Sequence, residues 1–162
     1  MKAKEKMKVF VVDDDIFRTY LYEQHLVNLG FTDINIYHTG TSCLNALTEE
    51  PDIIFLDYHM DDLNGLEVLQ KIKRFNPNIY VVLISGQQSM EVAVKSLKIG
   101  AFDYIIKEEE ELTRIEEVVE KIIKVNTLLQ EKNNPKPNRV HSLVGIMVIA
   151  AIICGFVYQF LQ

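Results

Sequence analysis

Short runs of consecutive apolar residues alternate along this chain with longer stretches whose apolar positions recur every three or four residues. The run at 8–12 (KVFVV) is followed by an amphipathic stretch through Leu21 and Leu26 that stops at Gly30. A second short run, 34–37, leads into a short helical pattern at 42–48, ahead of Pro51. Residues 53–56 (IIFL) are unbroken apolar sequence ending at Asp57, followed by a loop at 59–64 and a helical pattern at 66–75 closed by Asn76-Pro77-Asn78. The run at 80–84 (YVVLI) ends at Ser85, and a helix through Val92, Val94 and Leu97 stops at Gly100. The run at 102–106 (FDYII) ends at Lys107, and a long helix begins in the glutamate run 108–111. Unbroken apolar runs suit parallel strands covered on both faces. Five of them in strict alternation with helices predict an α/β fold, a doubly wound five-stranded parallel sheet. Gly and Pro punctuation supports most of the boundaries.

The pattern changes near the C-terminus. Residues 143–161 (LVGIMVIAAIICGFVYQFL) carry no charge, and Gln159 is their strongly polar residue. A helix needs about 20 such residues to cross the hydrocarbon of a bilayer. A helix apolar on every side, added after a complete small domain, has nothing to cover all its faces. Lys132, Lys136 and Arg139 precede this run and only Gln162 follows it. Positive charge stays cytoplasmic, so a single-pass tail anchor is expected, with the folded domain in the cytoplasm. The organisation read from the sequence is a domain at 1–126, a linker at 127–142 containing Asn133-Asn134-Pro135-Lys136-Pro137-Asn138, and a transmembrane helix at 143–161. The basic N-terminus is followed by only four apolar residues, 9–12, too short for a signal-peptide core of about 7–15.

Composition narrows the partners. The chain has 162 residues, one ordinary domain plus an appendage. Its formal net charge of −6, with no basic stripe, argues against binding nucleic acid through phosphates. The two cysteines, Cys43 and Cys154, do not make a disulfide framework and fit a reducing compartment.

In open parallel sheets, ligands bind beyond the carboxyl ends of the strands. At those ends the sequence places Asp13 and Asp14 after the first strand, Asp57 after the third, Ser85 after the fourth and Lys107 after the fifth. Taken singly, each acidic residue reads as solvated surface; at successive strand ends they read as one crevice. Neighbouring carboxylates repel unless a cation or protons intervene. Hard oxygen donors favour Mg²⁺, which is commonly shared with phosphate. A carboxylate can be a covalent nucleophile toward phosphorus. Phosphoryl transfer through a loose transition state needs positioning and charge neutralisation more than acid–base chemistry. Lys107 and the metal can supply that charge, and the Ser85 hydroxyl can donate to a phosphoryl oxygen. His59 has no second His or Cys beside it, and His25, His38 and His141 are scattered, which excludes a transition-metal site.

These residues carry a resemblance. From about residue 8 to 124 the chain resembles the receiver domain of two-component response regulators, with its flavodoxin-like fold. VVDDD matches the family's acidic pair at Asp13 and Asp14, and FLDYHMDDLNGLEVL matches the acceptor segment, with Asp57 as the phosphorylated residue. LISGQ matches the switch hydroxyl at Ser85, and GAFDYIIK matches the last strand, with switch aromatic Tyr104 and Lys107. The resemblance implies that Asp14 and Asp57 coordinate Mg²⁺ directly, that Asp13 acts mainly through water and that the backbone carbonyl of His59 completes the ligands. It implies a histidine kinase or phosphotransfer protein as donor. Ser85 would then move toward the phosphate and Tyr104 would swing inward, changing the surface around the fourth helix, fifth strand and fifth helix. His59 and Gln87 flank the acceptor where the phosphate lifetime is set. The sequence departs from the family in two places. Asp61 stands where proline usually follows Met60, which removes a constraint on the loop after the acceptor. Glu108 replaces the proline after the lysine, where the family's bond is often cis; a non-proline cis bond costs about 2.5–4 kcal/mol, so the bond is either strained or trans.

The glutamates at 108–111 are expected simply to open the last helix at its positive dipole end. Along that helix Leu112, Ile115, Val119, Ile122, Asn126 and Leu129 follow heptad spacing, so a homodimer through this helix is weighed against packing on the sheet. Nothing after the receiver segment is large enough for an enzymatic or DNA-binding domain. The expected function is a non-enzymatic, phosphorylation-dependent switch that signals to a downstream protein partner at the membrane. The alternatives are a phosphate sink without output and a phosphorylation-independent membrane scaffold.

Overall fold

A computed structural model describes residues 4–86 and 89–133. Five strands, β1 (Lys8–Val12), β2 (Asp33–Tyr37), β3 (Ile53–Asp57), β4 (Tyr80–Ser85) and β5 (Asp103–Ile106), form one parallel sheet in the order β2-β1-β3-β4-β5. Helices α1 (Ile16–Asn28), α2 (Gly40–Asn45), α3 (Gly65–Phe75), α4 (Met90–Ile99) and α5 (Glu111–Asn133) connect and follow them. This is the doubly wound α/β architecture the apolar runs predict. The expected second helix is split, with α2 starting at Gly40 and a 3-10 turn, Leu47–Glu49, following it.

Successive strand residues point to opposite faces, and the core divides accordingly. Val9 and Val11 of β1 pack with Tyr22 and Leu26 of α1 and with Ile115, Val118, Val119 and Ile122 of α5. Phe10 and Val12 face the other way and pack with Cys43 of α2 and Val68, Leu69 and Ile72 of α3. The central strand β3 pairs with β1 and β4, and all five of its residues are buried.

Local chemistry fixes where helices begin. Asp15 accepts hydrogen bonds from the backbone N–H of Phe17 and Arg18 and caps α1. Asn64 and Glu67 form a reciprocal capping box at α3. Ser89 caps α4 at one end, and Gly100 ends it at φ 115°, a conformation that favours glycine.

Ile115, Val119 and Ile122, three of the expected heptad positions, are fully buried against the sheet. They therefore belong to the core of this chain. α5 continues helically through residues 127–133, the stretch read from sequence as the start of the linker. The proposed membrane run at 143–161, the remainder of the linker and Gln87 lie outside the described residues. Among the described residues no helix is long and apolar enough to cross a membrane.

Candidate functional site

The sheet delivers its acidic and basic residues to one end. Asp57 is the last residue of β3, in register with Ile84, and is 3% exposed. Asp13 follows β1, its N–H donating to the carbonyl of Tyr37, and is 2% exposed. Lys107 follows β5, its N–H donating to the carbonyl of Ser85 at 2.8 Å. The Lys107 Nζ stands 2.8 Å from Asp13 Oδ2 and 3.0 Å from Asp57 Oδ1. One ammonium thus bridges two buried carboxylates that would otherwise face each other uncompensated.

Each carboxylate has a further donor. Asp13 Oδ1 accepts from the Asp15 N–H at 2.9 Å, and Asp57 Oδ1 accepts from the Tyr58 N–H at 2.8 Å. Burial pushes the Asp57 carboxyl above its ordinary range and the Asp13 charge adds to this, while Lys107 and the Tyr58 N–H act against it. Asp14 is exposed at the mouth of the site.

Asp13, Asp14 and Asp57 can each offer an oxygen such that all three lie within 4.8 Å of one another. Three carboxylates against one lysine leave an excess of negative charge. The donor set is entirely hard oxygen, so the residues fit a small divalent cation such as Mg²⁺. Beside them a pocket of about 410 Å³ is lined by Asp14, Tyr58, His59, Met60, Asp61 and Asn64. The exposed His59 ring meets Tyr58 edge-on, with centroids 4.5 Å apart. Ser85 is fully buried at the end of β4, and Tyr104 is half-buried on β5 beside the α3 and α4 side of the core.

The two departures in sequence have structural answers. The described peptide bonds are all trans, the Lys107–Glu108 bond among them, and Lys107 still reaches both carboxylates. The loop after the acceptor is tied down by Asp62, whose carboxylate accepts from the N–H of Gly40 at 3.0 Å and of Thr41 at 2.8 Å. Slight burial would raise the Asp62 carboxyl, but hydrogen bonds from Thr41, Gly40 and Leu63 outweigh it and hold the group at about 2.

Two functional features escaped the sequence reading. Gly65 opens α3 directly against the acceptor: a Cβ there would stand 2.5 Å from the Asp57 carbonyl oxygen and 2.8 Å from Tyr58 Cα. Glu111 does more than open a helix. It is 8% exposed and forms an ion pair with Arg18 of α1 at 2.9 Å.

Comparison with known proteins agrees with this geometry. Residues 9–120 match the family model described as the response regulator receiver domain. The chain belongs to the response regulator receiver family. As a receiver it is similar to the transcriptional regulatory protein ZraR of Klebsiella oxytoca, 35% identical over 64% of this chain and 23% of that protein. It is also similar to the luminescence regulatory protein LuxO of Vibrio campbellii, 31% identical over 83% of this chain and 30% of that protein. The receiver thus spans less than a third of the length of either relative. Among solved structures, a CheY-like receiver domain protein from Methanospirillum hungatei aligns with a TM-score of 0.68 at 26% identity, covering 75% of this chain and 97% of that one.

Proposed function

We propose that this receiver is a phosphorylation-dependent switch that takes a phosphoryl group on Asp57 from a histidine kinase or phosphotransfer protein and signals by protein contact at the cytoplasmic face of a membrane. The observation that carries this reading is the convergence of Asp13, Asp14, Asp57 and Lys107 at one end of the sheet.

In the transfer, an Asp57 carboxylate oxygen attacks the phosphorus of the donor's phosphohistidine. The P–O bond forms as the P–N bond breaks, and the electron pair stays on the donor's imidazole. Lys107, already beside Asp57, supplies positive charge to the phosphoryl oxygens. Ser85, at the adjacent strand end, supplies a hydroxyl donor. Asp13, Asp14 and Asp57, with the backbone carbonyl of His59, would hold Mg²⁺, which when bound supplies charge neutralisation at the phosphoryl group. The chain turns over no substrate of its own and acts as a switch rather than an enzyme. Its output follows from Ser85 and Tyr104 changing the surface of α4, β5 and α5. The apolar run at 143–161 supports a tail anchor that concentrates the receiver near membrane partners, with no role for nucleic acid.

The chemistry is tested by treating the full chain with phosphoramidate and Mg²⁺, trapping with borohydride and mapping the modified residue by mass spectrometry. Asp57 is expected to carry the label, with none in Asp57→Asn and none after chelation of Mg²⁺. Label elsewhere overturns the assignment. Partner binding measured with and without beryllofluoride separates switch from sink, since a contact unchanged by the mimic favours the sink. A phenotype unchanged in Asp57→Ala favours the scaffold. A version cut after Pro137 is expected in the soluble fraction; retention on membranes overturns the anchor.

A further inference from the structure

The junctions after β1 and β5 carry Asp13, Asp14 and Lys107, and a second polar cluster ties the same two junctions together. Arg18 Nη1 donates to both carboxylate oxygens of Glu111, at 2.9 and 3.0 Å. The Tyr22 hydroxyl donates to Glu111 Oε2 at 3.2 Å and accepts from Arg18 Nη1 at 3.4 Å. Arg18 Nε also stands 3.8 Å from Asp15, the cap of α1 that directly follows Asp14. Glu111 is the first residue of α5 and is nearly buried, so its charge is held by this one guanidinium and hydroxyl among the described groups.

Between Lys107 and Glu111 lie only the three exposed glutamates 108–110. That short segment is fixed at one end by the Lys107 N–H on the Ser85 carbonyl and at the other by Glu111. Its near end must hold an ammonium within hydrogen-bond reach of Asp57. A displacement of about 1 Å at such a group can slow a reaction on the order of a hundredfold. Arg18 also interacts electrostatically with Asp13 itself.

We infer that Arg18, Tyr22 and Glu111 form a clamp that joins α1 to the first turn of α5 and thereby sets the position of Lys107 against Asp57. Arg18 and Glu111 are then positioning residues for phosphoryl transfer, which touch neither the acceptor nor the donor. The inference rests on the reading of Asp57 as the acceptor.

The test uses the full chain in detergent micelles, with initial rates of labelling by phosphoramidate measured across Mg²⁺ concentration. In Glu111→Gln the maximal rate is expected to fall about tenfold, a part of the displacement effect, while half-saturating Mg²⁺ stays within about twofold because the carboxylate ligands are untouched. Arg18→Lys, which keeps the charge and loses the planar fork, should fall between wild type and Glu111→Gln. The reciprocal double variant Arg18→Glu with Glu111→Arg should regain rate over either single change. Fluorine NMR of the beryllofluoride complex reads Lys107 directly, and the resonance facing its ammonium should shift in Glu111→Gln. If Glu111→Gln does not fold, Arg18→Lys carries the same comparison. A labelled wild type with Glu111→Gln at the wild-type rate and spectrum, whatever its melting temperature, overturns this inference alone. A wild-type chain that takes no phosphoryl group overturns the Asp57 reading and this inference with it.

Discussion

Helices α5 and α4 border the same strand, β5, and are held in very different ways. α5 buries Ile115, Val118, Val119 and Ile122 completely and is pinned at its start by Arg18. α4 has one fully buried residue, Ser96, whose hydroxyl donates to the carbonyl of Ala93. Its Met90, Val94 and Leu97 are exposed, at 78%, 42% and 50%. Val92 and Ile99 are its partial anchors in the core, and its ends are fixed mainly by the Ser89 and Gly100 caps. Stability is therefore unevenly distributed around the site. An element with few buried contacts opens at low free energy, and such elements are the ones a switch can move. Within the switch proposed above, the first turn of α5 would hold Lys107, and α4 would be the element freest to respond.

The sharpest break of this comparison comes from the tight side. Ile122→Ala removes a fully buried side chain and is expected to destabilise by about 3 kcal/mol, read from urea unfolding. A loss under about 1 kcal/mol would mean that α5 is not the anchored helix. Gly65→Ala should cost about 2 kcal/mol, since its Cβ must displace the backbone at Asp57 and Tyr58. Unlike Ile122→Ala, it should also slow phosphoramidate labelling; an unchanged rate would separate α3 from the acceptor.

Smaller effects sharpen the same contrast. Asp62→Asn removes an anion from the start of α2 and should cost about 1 kcal/mol or less at pH 7. Its folded carboxyl sits at about 2, below the ordinary 3.8, so its contribution is complete above about pH 4 and is lost as pH falls toward 2. Wild type and Asp62→Asn should accordingly converge in stability near pH 2, and a constant gap down to that pH would remove Asp62 as the tie. Leu97→Ala is expected to change stability by no more than about 0.5 kcal/mol. Amide exchange should be faster in α4 than in the first turns of α5, and equal protection would erase the distinction between them.

Much of this was legible because the informative residues sit where patterns change. Each of the apolar runs before Asp13, Asp57, Ser85 and Lys107 ends in a polar residue, and parallel pairing brings those ends together whatever lies between. Period alone could not say which apolar helix positions would find a neighbour. Val94 and Leu97 keep the helical spacing of a buried stripe and are exposed, while Ile115 and Ile122 keep the spacing of a pairing seam and are core. Arg18 and Glu111 were hidden for another reason. They are 93 residues apart, and a glutamate within an acidic run looks the same whether or not a guanidinium meets it. Gly65 reads as ordinary turn punctuation until a neighbouring backbone shows what a methyl group would strike.

The strand order has a consequence in time. The acceptor lies on the middle strand of the sheet but precedes in sequence both its lysine and the β4 and β5 strands that complete the crevice. Pairing between distant segments is the slow part of folding. A growing chain on the ribosome would hold Asp57 for some fifty residues of synthesis with no bridging ammonium beside it. In the switch proposed above, competence to receive a phosphoryl group would thus wait on the last strand, when Lys107 joins the carboxylates.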